Sequence, residues 1–190
     1  EDAEGLLRTA HGLAPGRADV NTNLGLTLHD RGQFEAALPF LERAVNLAPG
    51  NVDFRRNLAM ALRQLGRFDD AIAACRDALA QSPEDAATHY ALALLLLPAG
   101  QFEEGWRHFD YHWAQFQADP GLRPLRGPRW RGEPIPKGSL LIRSEQGPGD
   151  EILFSTCLPD AGDRLQGGQI IFEVDPRLVA LMQRTFPAVQ

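Results

Sequence analysis

The sequence predicts an α-solenoid of paired helices followed by a partial α/β segment. Three observations predict it. Proline recurs at Pro15, Pro49 and Pro83, a step of 34 residues each time (49 − 15 and 83 − 49). Leucines, small residues and glycines around those prolines keep the same step. From Gly138 onward the pattern changes to short apolar runs, Leu140-Leu141-Ile142 and Ile170-Ile171-Phe172, with a glycine-containing loop and an amphipathic stretch between them. That is the order of a βαβα unit.

The repeat comes first in the chain. Leu24, Leu58 and Leu92 align, as do Gly25, Ala59 and Ala93. Gly32, Gly66 and Gly100 each stand two residues before Phe34, Phe68 and Phe102. Ala37, Ala71 and Gly105 follow, then Leu41, Cys75 and Phe109, then Ala44, Ala78 and His112. Small residues belong where two helices touch, large ones fill the space between pairs, and proline ends each second helix. A period of ~34 residues is that of tetratricopeptide repeats. Helix pairs are expected at 18–31 with 34–47, 52–65 with 68–81, and 86–98 with 102–116. Residues 1–17 read as the second half of a preceding repeat, through Ala3, Leu7, Ala10 and Pro15. The array thus covers 1–117: a half repeat 1–17, repeats 18–51 and 52–85, and a degenerate one, 86–117. It is expected to open in mid-repeat, in a chain cut from a longer one. Its uncovered end then favours a homo-oligomer.

In the third repeat Trp106-Arg107-His108-Phe109-Asp110-Tyr111-His112-Trp113 is aromatic on more than one face, as a helix packed on both sides would be. His108 and His112 have the i, i+4 spacing of two metal ligands. No third ligand accompanies them, so a packed helix face is expected and no metal. Residues 118–137 carry Pro120, Pro124, Pro128, Pro134 and Pro136, which rule out a long helix. They read as a Pro/Arg-rich linker pinned by Trp130 against the domain that follows.

Residues 138–190 read as strand 139–143, helix 149–158 continuing past Pro159, strand 169–174 and helix 176–185. Asp175-Pro176 suits a helix start, with Asp as N-cap and Pro at the first position. The loop 144–150 ends on Gly147-Pro148-Gly149-Asp150, where glycines free the backbone to turn and to approach a ligand. A third strand is due at Gln190, and the domain is expected to be incomplete.

Composition sets the outer limits. Net charge is −6 over 190 residues, so no basic field argues for nucleic acid. Lys137 is the single lysine. The longest apolar run, residues 90–98, is too short for a bilayer. Two cysteines, Cys75 and Cys157, fit buried thiols of a reducing compartment, which makes the cytoplasm the expected location.

Read together, Gly105-Trp106, Tyr111-x-Trp113, Pro128-x-Trp130-x-Gly132, Leu140-Leu141 and Glu145-Gln146-Gly147-x-Gly149-Asp150 give the chain a family likeness. It resembles bacterial proteins in which tetratricopeptide repeats precede a glycosyltransferase-like domain of the GT-B type, whose first half is Rossmann-like. The loop is similar to that of lipopolysaccharide heptosyltransferases. There the aspartate of a Gly-Asp pair is a candidate general base for the acceptor hydroxyl, and here the matching residue is Asp150. Glu145, at the end of the first strand, is the second candidate base. Gly147 and Gly149 are the corresponding acceptor or phosphate loop. Asn23 and Asn57 are similar to the asparagine ladder of O-linked N-acetylglucosamine transferases, which holds peptide backbone. Arg56 and Arg63, on the helix of Asn57, suit acidic groups of such a peptide.

The resemblance implies sugar transfer from a nucleotide-sugar to a protein or other acceptor in the full-length protein. This chain alone is expected to hold no cofactor and to be inactive. The alternative is a non-catalytic scaffold whose repeats bind protein.

Overall fold

The computed structural model describes residues 3–112, 127–143 and 147–190. The chain divides into two compact units, 1–124 and 125–190.

The first unit is a solenoid. Its helices are α1 (Ala3–Leu13), α2 (Ala18–Asp30), α3 (Phe34–Leu47), α4 (Val52–Gln64), α5 (Phe68–Gln81), α6 (Ala86–Leu96) and α7 (Phe102–Phe109). Each α2/α3, α4/α5 and α6/α7 pair packs as an antiparallel hairpin, and each pair packs on the next. The predicted pairs stand, with ends trimmed by one or two residues; the last helix is described only in part.

The aligned glycines close the first helix of each pair. Gly32, Gly66 and Gly100 sit at φ +74°, +72° and +77°, where a side chain is strained. At each, two backbone N–H groups turn back onto the helix: Gly32 to His29 and Gln33 to Leu28, then Gly66 to Arg63 and Arg67 to Leu62, then Gly100 to Leu97 and Gln101 to Leu96. This double closure is the Schellman motif. The small residues sit where helices meet: a Cβ on Gly25 would stand 2.7 Å from the Leu41 side chain, and one on Gly105 2.7 Å from that of Leu97.

Two apolar clusters form the core of the solenoid. One is built on Leu24, Leu28, Ala37, Leu41 and Ala61, with Leu7 and Leu58 against it. The other gathers Leu62, Ile72, Cys75, Leu92, Leu95 and Leu96. Burial pushes the Cys75 thiol up to about 12, so it stays protonated and behaves as a small apolar side chain.

The second unit holds β1 (Ser139–Arg143), α8 (Pro148–Ser155), α9 (Leu158–Leu165), β2 (Gln169–Glu173) and α10 (Val179–Thr185). β1 and β2 are parallel, with Leu141 opposite Ile171. Leu140, Leu158, Leu165 and Ile170 form its core, and Trp130, Ile135, Phe172 and Phe186 pack on it. The Trp130 indole donates to the Glu133 carbonyl at 2.6 Å. Gly168 is forced by close approach, because a Cβ there would stand 2.2 Å from the Ile135 carbonyl oxygen. At the far edge of β2, Gln190 donates to the Ile170 carbonyl and accepts from the Phe172 N–H. That is the bonding pattern of one residue in a parallel strand.

Three local expectations need correction. The helix after the loop does not run past Pro159: it ends at Ser155, and α9 begins at Leu158 with Pro159 in its first turn, where proline needs no N–H partner. Asp175-Pro176 opens a turn and not a helix. The Asp175 carboxylate is taken by the Arg177 N–H and guanidinium, the Leu178 N–H closes onto the Asp175 carbonyl, and α10 starts three residues later than expected. Those Arg177 contacts hold the Asp175 carboxyl down at about 2. Cys157 is exposed, since the break between α8 and α9 turns it outward while Leu158 fills the core.

No helix among the described residues is long and apolar enough to cross a membrane.

Candidate functional site

The first helices of successive pairs, α2, α4 and α6, pack directly on one another, and the second helices have no comparable contact. The first helices therefore line the inner side of the solenoid. Their buried residues, such as Leu24 and Leu28 on α2 or Ala59 and Leu62 on α4, face the second helices. The residues left for the inner side fall into rows one repeat apart. Asp19, Asp53 and Ala87 form an outer row. Asn23, Asn57 and Ala91 form an amide row. Leu26, Met60 and Leu94 form an apolar row.

Asn23, exposed, and Asn57, half-buried, lie one repeat apart on α2 and α4. Neither side-chain amide has a hydrogen-bond partner among the described residues. The two arginines differ. Arg56 is closed within the chain, 2.5 Å from Asp53 and 3.2 Å from Asp85. Asp85 is in turn a helix cap: its carboxylate accepts from the Thr88 N–H at 2.8 Å. Burial works to raise the Asp85 carboxyl, and the Thr88 and Arg56 hydrogen bonds outweigh it and hold it low. Arg63 is exposed, with no hydrogen bond or ion pair among the described residues; every other arginine of residues 3–112 has a partner.

One set of residues escaped the sequence reading. Asn21, Arg55 and His89 occupy the same repeat position, and each donates to the carbonyl of the proline six residues earlier. Asn21 Nδ2 reaches Pro15 O at 3.0 Å, Arg55 Nε reaches Pro49 O at 3.1 Å, and His89 Nε2 reaches Pro83 O at 2.7 Å. Three side chains of unlike chemistry make one contact, so similarity of residue type gave no signal; the 34-residue step alone could have found it. Because Pro83 O only accepts, His89 carries its hydrogen on Nε2. Its Nδ1 lies 2.6 Å from His108 Nδ1, close enough for the two rings to share one hydrogen, and Tyr111 stacks on the His89 ring at 3.6 Å. His112 instead stacks on Tyr90 at 4.4 Å. The i, i+4 histidines thus point to different packing partners. Among the described residues no three His, Cys, Asp or Glu side chains are placed to hold a metal.

In the second unit, Glu145 lies outside the described residues. Asp150 sits half-buried in the first turn of α8, which opens at the carboxyl end of β1. It is not the helix cap, a position that Gly147 holds. Gly147 and Gly149 lie outside the left-handed region, and a Cβ on either would meet nothing within 4 Å among the described residues. Neither is required by the turn, contrary to the expectation, and both face open space. The buried acid here is Glu151, whose Oε2 accepts from the Asp175 N–H at 2.8 Å and ties α8 to the end of β2. A depression of about 60 Å³ between β2 and α10 is water-sized, far below the roughly 300 Å³ at which ligand pockets begin.

Comparison with known proteins agrees with the helical unit. The tetratricopeptide-repeat model matches residues 28–76 and 62–120. The chain is a tetratricopeptide-repeat protein. Protein FlbA of Caulobacter vibrioides is 35% identical over 88 residues, which are 46% of this chain and 15% of FlbA. A solved structure of MamA AMB-1 is 33% identical with a TM-score of 0.52, over 63% of this chain and 69% of that one. YrrB, described as a tetratricopeptide-repeat protein with an unusual peptide-binding site, shares the fold at 24% identity and a TM-score of 0.55, over 62% of this chain and 60% of its own.

Proposed function

We propose that the repeat array is a protein-binding scaffold whose inner groove holds an extended segment of a partner. The observation that carries this reading is the pair of amides, Asn23 and Asn57, that have no partner among the described residues and stand one repeat apart on the inner helices. A side-chain amide offers both a donor and an acceptor, which is what a peptide unit needs. Peptides selected from an unbiased 12-residue display against the 190-residue chain supply the probe. In isothermal titration the Asn23→Ala/Asn57→Ala variant loses two hydrogen bonds at about 1 kcal/mol each, so affinity falls roughly tenfold or more. Unchanged affinity with the fold intact would overturn the reading. The cytoplasm is the proposed location.

A second reading concerns residues 138–190 and is favoured by the parallel β1–β2 pair with Gln190 bonded to the far edge of β2. On this reading the segment is the opening half of a Rossmann-like domain of the GT-B type. The full-length protein then transfers a sugar from a nucleotide-sugar to an acceptor held in the groove. Asp150 takes the acceptor hydroxyl proton, Glu145 is the alternative base, and the open space beside Gly147 and Gly149 admits the acceptor or a phosphate. Ligands of parallel sheets bind at the carboxyl ends of the strands, where this loop stands. The test is Asp150→Asn in the full-length protein: a base role predicts a rate loss on the order of 10²-fold or more with the fold unchanged. Sugar transfer at the parent rate rules Asp150 out.

A further inference from the structure

We propose that the groove selects extended segments bearing an apolar side chain at every third residue and a carboxylate beside them, read by Leu26, Met60 and Leu94 and by Arg63. The inference rests on the reading of the groove as a binder of extended protein.

The apolar row is the first part of the argument. Leu26, Met60 and Leu94 are one residue type in physical terms and occupy one repeat position (60 − 26 and 94 − 60 are both 34). Leu26 and Leu94 are half-buried, and Met60 in the middle is 43% exposed. Packing within each pair does not require this row, because Leu24, Leu28, Leu62, Leu92, Leu95 and Leu96 already fill the clusters behind it. Neighbouring packed helices stand about 9 Å apart. A chain in the extended polyproline II form advances about 3.1 Å per residue and brings its side chains back to one side every third residue. Three residues therefore carry a partner from one inner helix to the next, and side chains three apart meet the row in register. The parallel amide row, one helical turn away, meets the backbone of the same segment. A helical partner has no free backbone groups for Asn23 and Asn57 to bind, so the extended form is the occupant.

Charge supplies the second part. The groove's outer row is neutralised within the chain, Asp19 by Arg17 and Asp53 by Arg56. Arg63 is left over. It lies at i+3 from Met60, one turn along the same helix face. A segment whose apolar side chain rests on Met60 thus brings a neighbouring side chain to a cation that has no partner among the described residues, and a carboxylate complements it.

The test uses 12-residue peptides from unbiased display on the 190-residue chain, each then titrated by fluorescence anisotropy. Selected sequences should converge on apolar residues three apart with Asp or Glu adjacent. Met60→Glu should weaken binding more than tenfold. Arg63→Glu should weaken it about fivefold, the scale of one exposed ion pair, and replacing the peptide acid with Lys should restore it. Both side chains are exposed, and circular dichroism confirms the fold. Peptides that need Asn23 and Asn57 but show no three-residue spacing, show a helical spacing, or ignore the Arg63 reversal overturn this inference and leave the groove reading standing. Peptides indifferent to Asn23→Ala/Asn57→Ala overturn both.

Discussion

The two units solve burial in opposite ways. In the repeat array the helices bury what their periodicity says they should, and Leu24, Leu28, Leu41 and Leu96 have no exposed surface. In the second unit, α8 buries Glu151 and Ser155 and turns Ile152, Leu153 and Phe154 to solvent, the last two 62% and 57% exposed. Leu141 and Ile171, paired across the two strands, are exposed as well. A parallel sheet normally has both faces covered; this one is covered by α9 and the Phe186 segment on one face. The lesson is that a repeat supplies its own covering layer from the neighbouring repeat, whereas a short βαβα segment does not.

Core truncation breaks this comparison most strongly. Leu41→Ala in the array and Leu165→Ala in the second unit both remove fully buried side chains. Each should cost about 3 kcal/mol. In urea, far-ultraviolet dichroism follows the array, which holds most of the helix, and in a Trp106→Phe/Trp113→Phe background Trp130 fluorescence reports the second unit through its packing on the core. Each substitution should shift its own transition; a shift of both together would mean that the units unfold as one.

The glycines give the next largest effect. Gly66→Ala forces a side chain to φ +72° and should cost on the order of 1 kcal/mol. Gly149→Ala, with an ordinary φ in the first turn of α8 and open space around it, should leave the melting temperature unchanged or raise it slightly. Equal effects at the two positions would remove the distinction between a structural glycine and one retained for access.

This contrast also explains how much the sequence could tell. The helix pairs were legible because the same constraint is printed three times, as with Gly32, Gly66 and Gly100. The equivalent placement of Asn23 and Asn57 follows from the same repetition. The proline-carbonyl contacts of Asn21, Arg55 and His89 were not, since a hydrogen bond to a carbonyl is satisfied by any donor of suitable reach. In the second unit nothing repeats, and each element was read once. There the sequence placed both strands, but Asp175-Pro176 misled because the nearby Arg177 captured the carboxylate that a helix would have used. Glu151 was missed because a carboxylate beside three apolar residues reads as the solvent face of a helix. Glu145 lies outside the described residues, and nothing in the geometry of Asp150 distinguishes a base from a first-turn acid.

Acidity should act on the array through its third repeat. Burial lowers the His108 pKa, the neighbouring His89 lowers it further, and Glu104 opposes them. Around the ring stand His89 from α6, Tyr111, and Glu104 and Arg107 from α7, with Arg76 from α5 bound to Glu104 at 3.0 Å. With its native pKa below the unfolded value, His108 takes its proton first in the unfolded chain. Stability is therefore complete above about pH 6.5 and is lost as pH falls toward the native value. Glu104, held low by Arg76, and Asp85 act in the same direction at lower pH. Melting followed by dichroism should show a smaller drop between pH 7.5 and 5.5 for His108→Gln than for the parent. An equal drop in both would place the acid sensitivity elsewhere.

The smallest effect on stability, and the one that isolates the second unit, comes from its uncovered apolar surface. Leu153→Ser and Phe154→Ser replace exposed side chains, so stability should change by no more than about 0.5 kcal/mol. Association should change much more. Exposed apolar groups gathered on one helix, with Leu141 and Ile171 exposed on the sheet as well, are removed from water when two copies meet. Along its middle repeats the array exposes apolar side chains singly, Met60 and Phe68 among them, and not as a run on one helix. Light scattering at micromolar concentration should therefore give more than the 20.9 kDa monomer mass for the parent and move toward it for the double variant. The matched control lies in the array: Phe68→Ser, also 51% exposed but flanked by Arg67, Asp69 and Asp70, should leave the association as it was. If Phe68→Ser dissociates the protein and the Leu153/Phe154 variant does not, the self-association belongs to the solenoid, and the contrast between the two units fails on the point where it is sharpest.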